Sequence, residues 1–226
     1  MKECIEFQEI ENVTFTSNGV GTLQGNGAAW WGYASYLRID ENRPRLFRIN
    51  SSKQMLIENL QFINSPYWTT LFEDVEDLEI RYSAIDVRRN PVDWHDLYNI
   101  ADFNTDGFDV SGRNVHIHHV DIWCDDDTIV VKGRSGNNGI KCSENMLFEH
   151  VKASGVGLTI GSIGASDAHT CVRNITFRHA VMHHTFKGIY MKSRPSGASA
   201  TGEITRPGEF FEYLGFLHTQ SFSKRF

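Results

Sequence analysis

The sequence predicts an all-β chain wound as a single-stranded, right-handed parallel β-helix. Three observations carry that expectation. A short anchor, a polar residue followed by apolar–x–apolar, recurs at Asn12, Gln54, Asp77, Asn114, Asn145 and Asn174. Apolar residues alternate within the copies, as in Val115/Ile117, Met146/Phe148 and Ile175/Phe177. A period of two marks a strand with one buried face, and no stretch shows the 3.6-residue period of an amphipathic helix. Finally, a second set of segments keeps a common register over four units: "GFDVSG" from Gly107, "TIVVKG" from Thr128, "GLTIGS" from Gly157 and "GIYMKS" from Gly188. An antiparallel sandwich also has many short strands. Strands that repeat every 20–40 residues in register favour a solenoid.

Taken in order, the chain enters a strand pattern almost at once with "ECIEF" and the first anchor, "NVTF". The N-terminus shows no apolar core of a signal peptide. The 42 residues between the first two anchors read as nearly two short units, with "PRLFRIN" (Pro44–Asn50) as the strand of the missing one. "QMLI" and "DLEI" follow. The stretch Asp86–Asp102 breaks the repeat and reads as a long inserted loop, the kind that often binds ligands. Its Trp94, His95 and Tyr98 suit either stacking on sugar rings or pinning the loop. Trp30, Trp31 and Trp68 read as packing residues. The second-set strands are expected to follow the anchors and to point Phe108/Val110, Ile129/Val131, Leu158/Ile160 and Ile189/Met191 inward. The tail after Thr205 does not continue the pattern, which divides the chain into residues 1–205 and a divergent segment 206–226.

The 226 residues suffice for a real core, and a net charge of −6 with pI about 5.9 argues against nucleic acid or an anionic membrane as partner. No apolar run approaches the ~20 residues of a membrane span. Four cysteines without a CxxC pair argue against both a disulfide scaffold and a zinc site. Cys142 and Cys171 each precede an anchor by three residues, so they should stand on adjacent turns within disulfide reach. The histidines of "HIHH" and "MHHT" lack a carboxylate at metal spacing and read as surface or turn residues. Sequons occur at Asn12, Asn50 and Asn174, the first and last at the heads of core strands and so expected to be inaccessible.

The charge is focused. "NTDGFDV" and "CDDDTIVVKG" hold five aspartates. Extending the second-set register two residues back from Phe108, Ile129 and Leu158 reaches Asp106, Asp127 and Val156. Asp106 and Asp127 are therefore neighbours on adjacent turns, with Asp126 beside them. Asp109 falls on an outward row with Val130, Thr159 and Tyr190, and Lys132 and Lys192 lie on a nearby one. Crowded carboxylates cannot all ionise freely, so one becomes a proton donor while another can deprotonate water. That is the division of labour glycoside hydrolysis requires. A turn-capping or cation-binding aspartate ladder fits the same residues.

These residues carry a resemblance. From about Cys4 to Lys192 the chain resembles glycoside hydrolase family 28, the polygalacturonase-like, pectin-degrading β-helix enzymes with a pectin-lyase-like solenoid. "GVGTLQGNGAAWWG" is similar to the family's Gly- and Trp-rich segment, with Gln24 where Asp is usual. "RPRLFRIN", "LIENLQFINSPYW" and "NVHIHHVDIWCDDDTIVVKG" follow in family order. The "NTD" motif is intact at Asn104–Asp106. "GDDC" stands as Asp125–Asp126–Asp127–Thr128, "GHG" as Gly155–Val156–Gly157, and "RIK" as Tyr190–Met191–Lys192. The resemblance implies inverting hydrolysis of an α-linked pectic chain with no metal or other cofactor. It implies Asp126 as general acid, Asp106 and Asp127 as the pair that holds and deprotonates water, and Asn104, Tyr190 and Lys192 as substrate-binding residues. It further implies an extracellular monomer, acting on plant-wall polymers and shorter than its relatives at both ends.

Val156 in place of His and Tyr190 in place of Arg leave Lys192 as the principal cation. Both changes favour weaker turnover or a less anionic chain such as rhamnogalacturonan. Other readings are a carbohydrate-binding β-helix without turnover, a calcium-dependent pectate lyase using Arg88 or Arg89, and a structural β-helix.

Overall fold

The computed structural model describes residues 3–32, 42–89, 101–133, 142–163, 171–193 and 212–214. In chain order its strands are β1 (Glu3–Gln8), β2 (Glu11–Gln24), β3 (Arg45–Asn50), β4 (Lys53–Ile63), β5 (Thr70–Arg81), β6 (Ala84–Asp86), β7 (Phe108–Trp123), β8 (Ile129–Val131), β9 (Cys142–Ser154), β10 (Leu158–Ile163), β11 (Cys171–His183), β12 (Ile189–Ser193) and β13 (Glu212–Leu214). Every pairing among them is parallel, and the chain winds as a right-handed β-helix. A 3-10 turn at Gly27–Ala29 is the one helical element among the described residues.

Three sheets run along the solenoid. The first joins β1, β3, the start of β5, the start of β7, β8, β10 and β12. The second joins β2, β4, the later part of β5, the middle of β7, β9 and β11. The third is built from the ends of β2, β4, β7, β9 and β11 with β6 and β13. The second-set strands belong to the first sheet, so within a coil they precede the anchors. The 42-residue gap is one coil and not two, because Ile5 pairs directly with Phe47. The extra residues form an insertion after Gln24. Glu212–Leu214, in the tail that sequence leaves outside the repeat, pairs with Val181–His183.

The anchors are corners. Asn12, Gln54, Asp77, Asn114, Asn145 and Asn174 all have φ between 52° and 56°, the left-handed region that Asn and Asp tolerate best after Gly. Their side chains bond along the axis: Asn174 Nδ2 donates to Asn145 Oδ1 (2.8 Å), Asn145 Nδ2 to Asn114 Oδ1 (3.3 Å) and Asn114 Nδ2 to Asp77 Oδ1 (2.9 Å). A corner points outward, and Asn12 and Asn174 are exposed, contrary to the expectation from sequence.

A second row of left-handed corners, Asn59, Tyr82, His119, His150 and His179, separates the second sheet from the third. There the imidazoles stack, His119 on His150 at 4.6 Å and His150 on His179 at 5.0 Å. Their neighbours do find carboxylates, on adjacent coils: His116 Nε2 lies 3.0 Å from Glu149 and His118 Nε2 3.1 Å from Glu79. Sequence spacing hides these partners because they are more than 30 residues away.

Inside, Phe108, Val110, Ile129, Val131 and Leu158 are fully buried, each contributing about 1.5–3 kcal/mol on the scale of side-chain burial. Core rings meet edge-on, Phe47 with Phe62 of the same coil at 5.8 Å and Phe62 with Phe108 two coils on at 6.4 Å. Ile189 and Met191 hold the register positions expected of them but are 40% and 48% exposed, so they are not core residues in the described structure. The loop residues Trp94, His95 and Tyr98 lie outside the described residues.

Candidate active site

The aspartates sit where the third sheet turns into the first. Asp106 immediately precedes Gly107 and β7; Asp126 and Asp127 occupy the turn before β8, one coil on. Backbone hydrogen bonds carry the ladder through these turns: Thr69 N–H donates to Asp106 O (2.8 Å), Gly107 N–H to Asp127 O (2.8 Å) and Thr128 N–H to Gly157 O (2.9 Å). The register that pairs Phe108 with Ile129 thus extends back to bring Asp106 beside Asp127. Asp126 departs from strand alternation because the turn intervenes, and its Oδ1 accepts the Asp127 N–H at 2.8 Å.

One carboxylate oxygen from each of Asp106, Asp126 and Asp127 lies within 4.8 Å of the others, and all three residues are buried. Burial, reinforced by the Asp126 charge, pushes the Asp106 carboxyl well above the ordinary range. Burial with the neighbouring Asp127 raises Asp126 to about 6. Asp127 differs: Thr159 Oγ1 donates to its Oδ1 (2.7 Å), Tyr190 Oη donates to the same oxygen, and Lys192 Nζ grips Oδ2. The cluster would suit a hard cation by its oxygens, and Lys192 already supplies one positive charge there.

Asn104 adopts the left-handed conformation (φ 66°). Its Oδ1 accepts from Trp68 Nε1 at 3.2 Å. Fully buried Arg43 holds the preceding residue, donating to Phe103 O at 2.9 Å. Trp68 therefore borders the site, where sequence reads it as packing. Trp30 is 43% exposed. Trp31 does pack, donating Nε1–H to Ser65 O at 3.2 Å. Val156 brings no polar side chain, but its N–H donates to Asp126 O (2.8 Å) and helps hold the turn.

Sequence reasoning missed several groups. The outward row of Asp109, Val130 and Thr159 is fully buried. Asp109 Oδ2 lies 3.3 Å from Lys132 Nζ, and burial raises its carboxyl to about 6 against the pull of that lysine. Asp102, at the foot of the inserted loop, is pushed to about 7 by burial and the charge of Asp125. Arg88 is engaged by Asp86 (2.5 Å) and lies over the Trp123 ring at 4.6 Å.

Residues 1–206 match the family described as Glycosyl hydrolases family 28. An endo-polygalacturonase of Pectobacterium carotovorum subsp. carotovorum is 29% identical over 221 residues, covering 90% of this chain and 49% of its own. A polygalacturonase of Chamaecyparis obtusa is 26% identical over 213 residues, 90% of this chain and 37% of that protein. The solved endo-xylogalacturonan hydrolase from Aspergillus tubingensis superposes with a TM-score of 0.73 at 24% identity, over 88% of this chain and 50% of that one; that likeness bears on the fold. The chain spans half or less of the length of these relatives.

Proposed function

The chain belongs to glycosyl hydrolases family 28, and on that premise we propose that it hydrolyses α-linked pectic polysaccharide of the galacturonan type. The observation that carries this reading is the convergence of Asp106, Asp126 and Asp127 within 4.8 Å. The chemistry follows from their unequal surroundings. Asp106 and Asp126 are buried carboxyls whose hold on a proton is strengthened, and the family pattern assigns delivery of a proton to the glycosidic oxygen to Asp126. Asp127, engaged as an acceptor by Thr159, Tyr190 and Lys192, is the base that takes the proton of the attacking water, and Asp106 holds that water with it. The sugar's glycosidic C–O bond breaks as the water oxygen bonds to the anomeric carbon. Inversion rests on the family pattern, and proton NMR of the first-formed anomer tests it.

Asn104, Tyr190 and Lys192 are the substrate contacts in this reading, and no metal or other cofactor takes part. Tyr190 and Val156, which stand where the family pattern has Arg and His, would favour a less anionic chain over fully charged galacturonan. The protein acts as an extracellular monomer; the Cys142–Cys171 disulfide fits an oxidising compartment. Among the described residues no helix is long and apolar enough to cross a membrane.

The test is release of reducing sugar from pectic polymers. Asp126→Asn should lower kcat by about 10²–10⁴-fold, the usual contribution of a general acid, while the folded structure persists. Unchanged turnover in folded Asp126→Asn removes it from the mechanism. Product absorbing in the ultraviolet at an unsaturated bond would indicate a lyase instead.

A further inference from the structure

We propose that Lys132 is a second carboxylate-recognising position, reading a uronate unit on the opposite flank of the aspartates from Lys192. This rests on the pectic reading above and assigns a residue to one uronate unit of that chain. Val131 pairs with Ile160 through β8 and β10, and Ile160 with Met191 through β10 and β12. The next positions, Lys132, Gly161 and Lys192, follow on the outside of the first sheet as one row that a register shift between Ile160 and Ile163 interrupts. The two lysines stand two coils apart, roughly 10 Å along the axis at the usual strand spacing. Gly161 between them has no side chain, and a Cβ there would lie 2.2 Å from Lys192 O. The row thus offers two ammonium groups with a bare backbone between them.

The surroundings of Lys132 prepare it to bind. Its side chain keeps 26% of its surface exposed, while its partner Asp109 keeps none. The pair meets at 3.3 Å, and neither Asp109 oxygen accepts a hydrogen bond of good geometry. Lys132 Nζ also lies 4.2 Å over the Trp68 ring, a cation–π contact that steers the ammonium. Tyr67 stacks on Trp68 at 5.3 Å. The indole is therefore already engaged and acts as a positioning residue, holding Lys132 by its ring and Asn104 by its Nε1–H. Lys132, Trp68 and Asn104 make one connected set before the aspartates, as Tyr190 and Lys192 do after them. A lysine on a flexible stem can move its point charge from Asp109 to a carboxylate of the ligand.

The experiment compares affinity for unesterified and methyl-esterified oligogalacturonides by calorimetry, with Asp126→Asn protein to prevent turnover. A second protein adds Lys132→Gln and Asp109→Asn, which removes both charges and strands neither. The preference for the acid form over the ester should fall about tenfold, the scale of one charge-assisted hydrogen bond, and Lys132→Arg should retain it. A readout independent of these substitutions is the NMR signal of the Lys132 side-chain Cε, which should shift on saturation with the acid oligomer. An unchanged preference, or a stationary Lys132 signal at saturation, overturns the proposal and leaves the pectic reading standing. A protein that neither cleaves pectic polymers nor binds either oligomer overturns both.

Discussion

Gly107 separates Asp106 from the first core residue of its coil, and the neighbouring coil leaves no space beside it. A Cβ at that position would lie 2.3 Å from Thr128 O and 3.0 Å from Ile122 Cγ2. Because the Gly107 N–H donates to Asp127 O, the same close approach sets the Asp106–Asp127 spacing. Gly107→Ala should push the turns apart and cost on the order of 1–3 kcal/mol of stability. It should also lower kcat by roughly 10²-fold, the effect of misplacing reacting groups by about 1 Å. Kinetics with a melting curve would check this; full activity would mean that the aspartate spacing does not depend on Gly107. At this scale the sequence made Asp106 and Asp127 neighbours by register alone. It could not show that Thr159 and Tyr190 donate to Asp127, or that Asp102 meets Asp125. Those contacts depend on side-chain direction across turns, which a period of two does not encode.

Strands here are joined through their corners, and the second sheet shows how. β9 and β11 are joined at their N-terminal ends by the Cys142–Cys171 disulfide, with Cα atoms 4.5 Å apart. The anchor register alone puts these cysteines together. Corner residues are legible as a recurrent Asn and misread only in exposure, since the motif looks like a strand start and is a turn. Charges across the same strands pair in register, Arg173 with Glu144 and Arg178 with Glu149, a regularity visible only once partners are assigned. The disulfide closes a loop of 29 residues, and chain-entropy arguments give such a loop roughly 3–4 kcal/mol. Replacing both cysteines by serine should lower Tm by on the order of 10 °C, read by scanning calorimetry. No change in Tm would mean that the pairing in β9 and β11 holds these ends without the bond.

Across the whole molecule, stacking of coils buries acids that a single coil would leave in water. The register made this legible for Asp106 and Asp127. The burial of Asp102 and Asp109 was not, because it depends on how side chains of neighbouring coils pack over the outer face. Burial raises Asp126 and Asp109 to about 6, Asp102 to about 7 and Asp106 well above the usual value. In the unfolded chain these aspartates titrate near ~3.9. Between about pH 4 and 7 the folded state therefore binds more protons than the unfolded one, and stability falls as pH rises. An opposite effect operates in acid: hydrogen bonds from Arg178 and His116 lower Glu149 to about 2, so its contribution is lost as pH falls below about 4. The two limbs place maximal stability near pH 4. From pH 5 to pH 8, Tm should drop. A tenfold change in the proton affinity of one group is worth about 1.4 kcal/mol, and each kcal/mol about 2–4 °C for a chain of this size, so a single such carboxyl losing its proton one pH unit above its unfolded range accounts for about 3–6 °C. Asp102→Asn, which removes one raised acid at the foot of the inserted loop, should flatten part of that slope between pH 4 and 7. Calorimetric melts across this range decide the matter, and a Tm that rises from pH 5 to pH 8 would mean that these carboxyls are solvated in the folded protein.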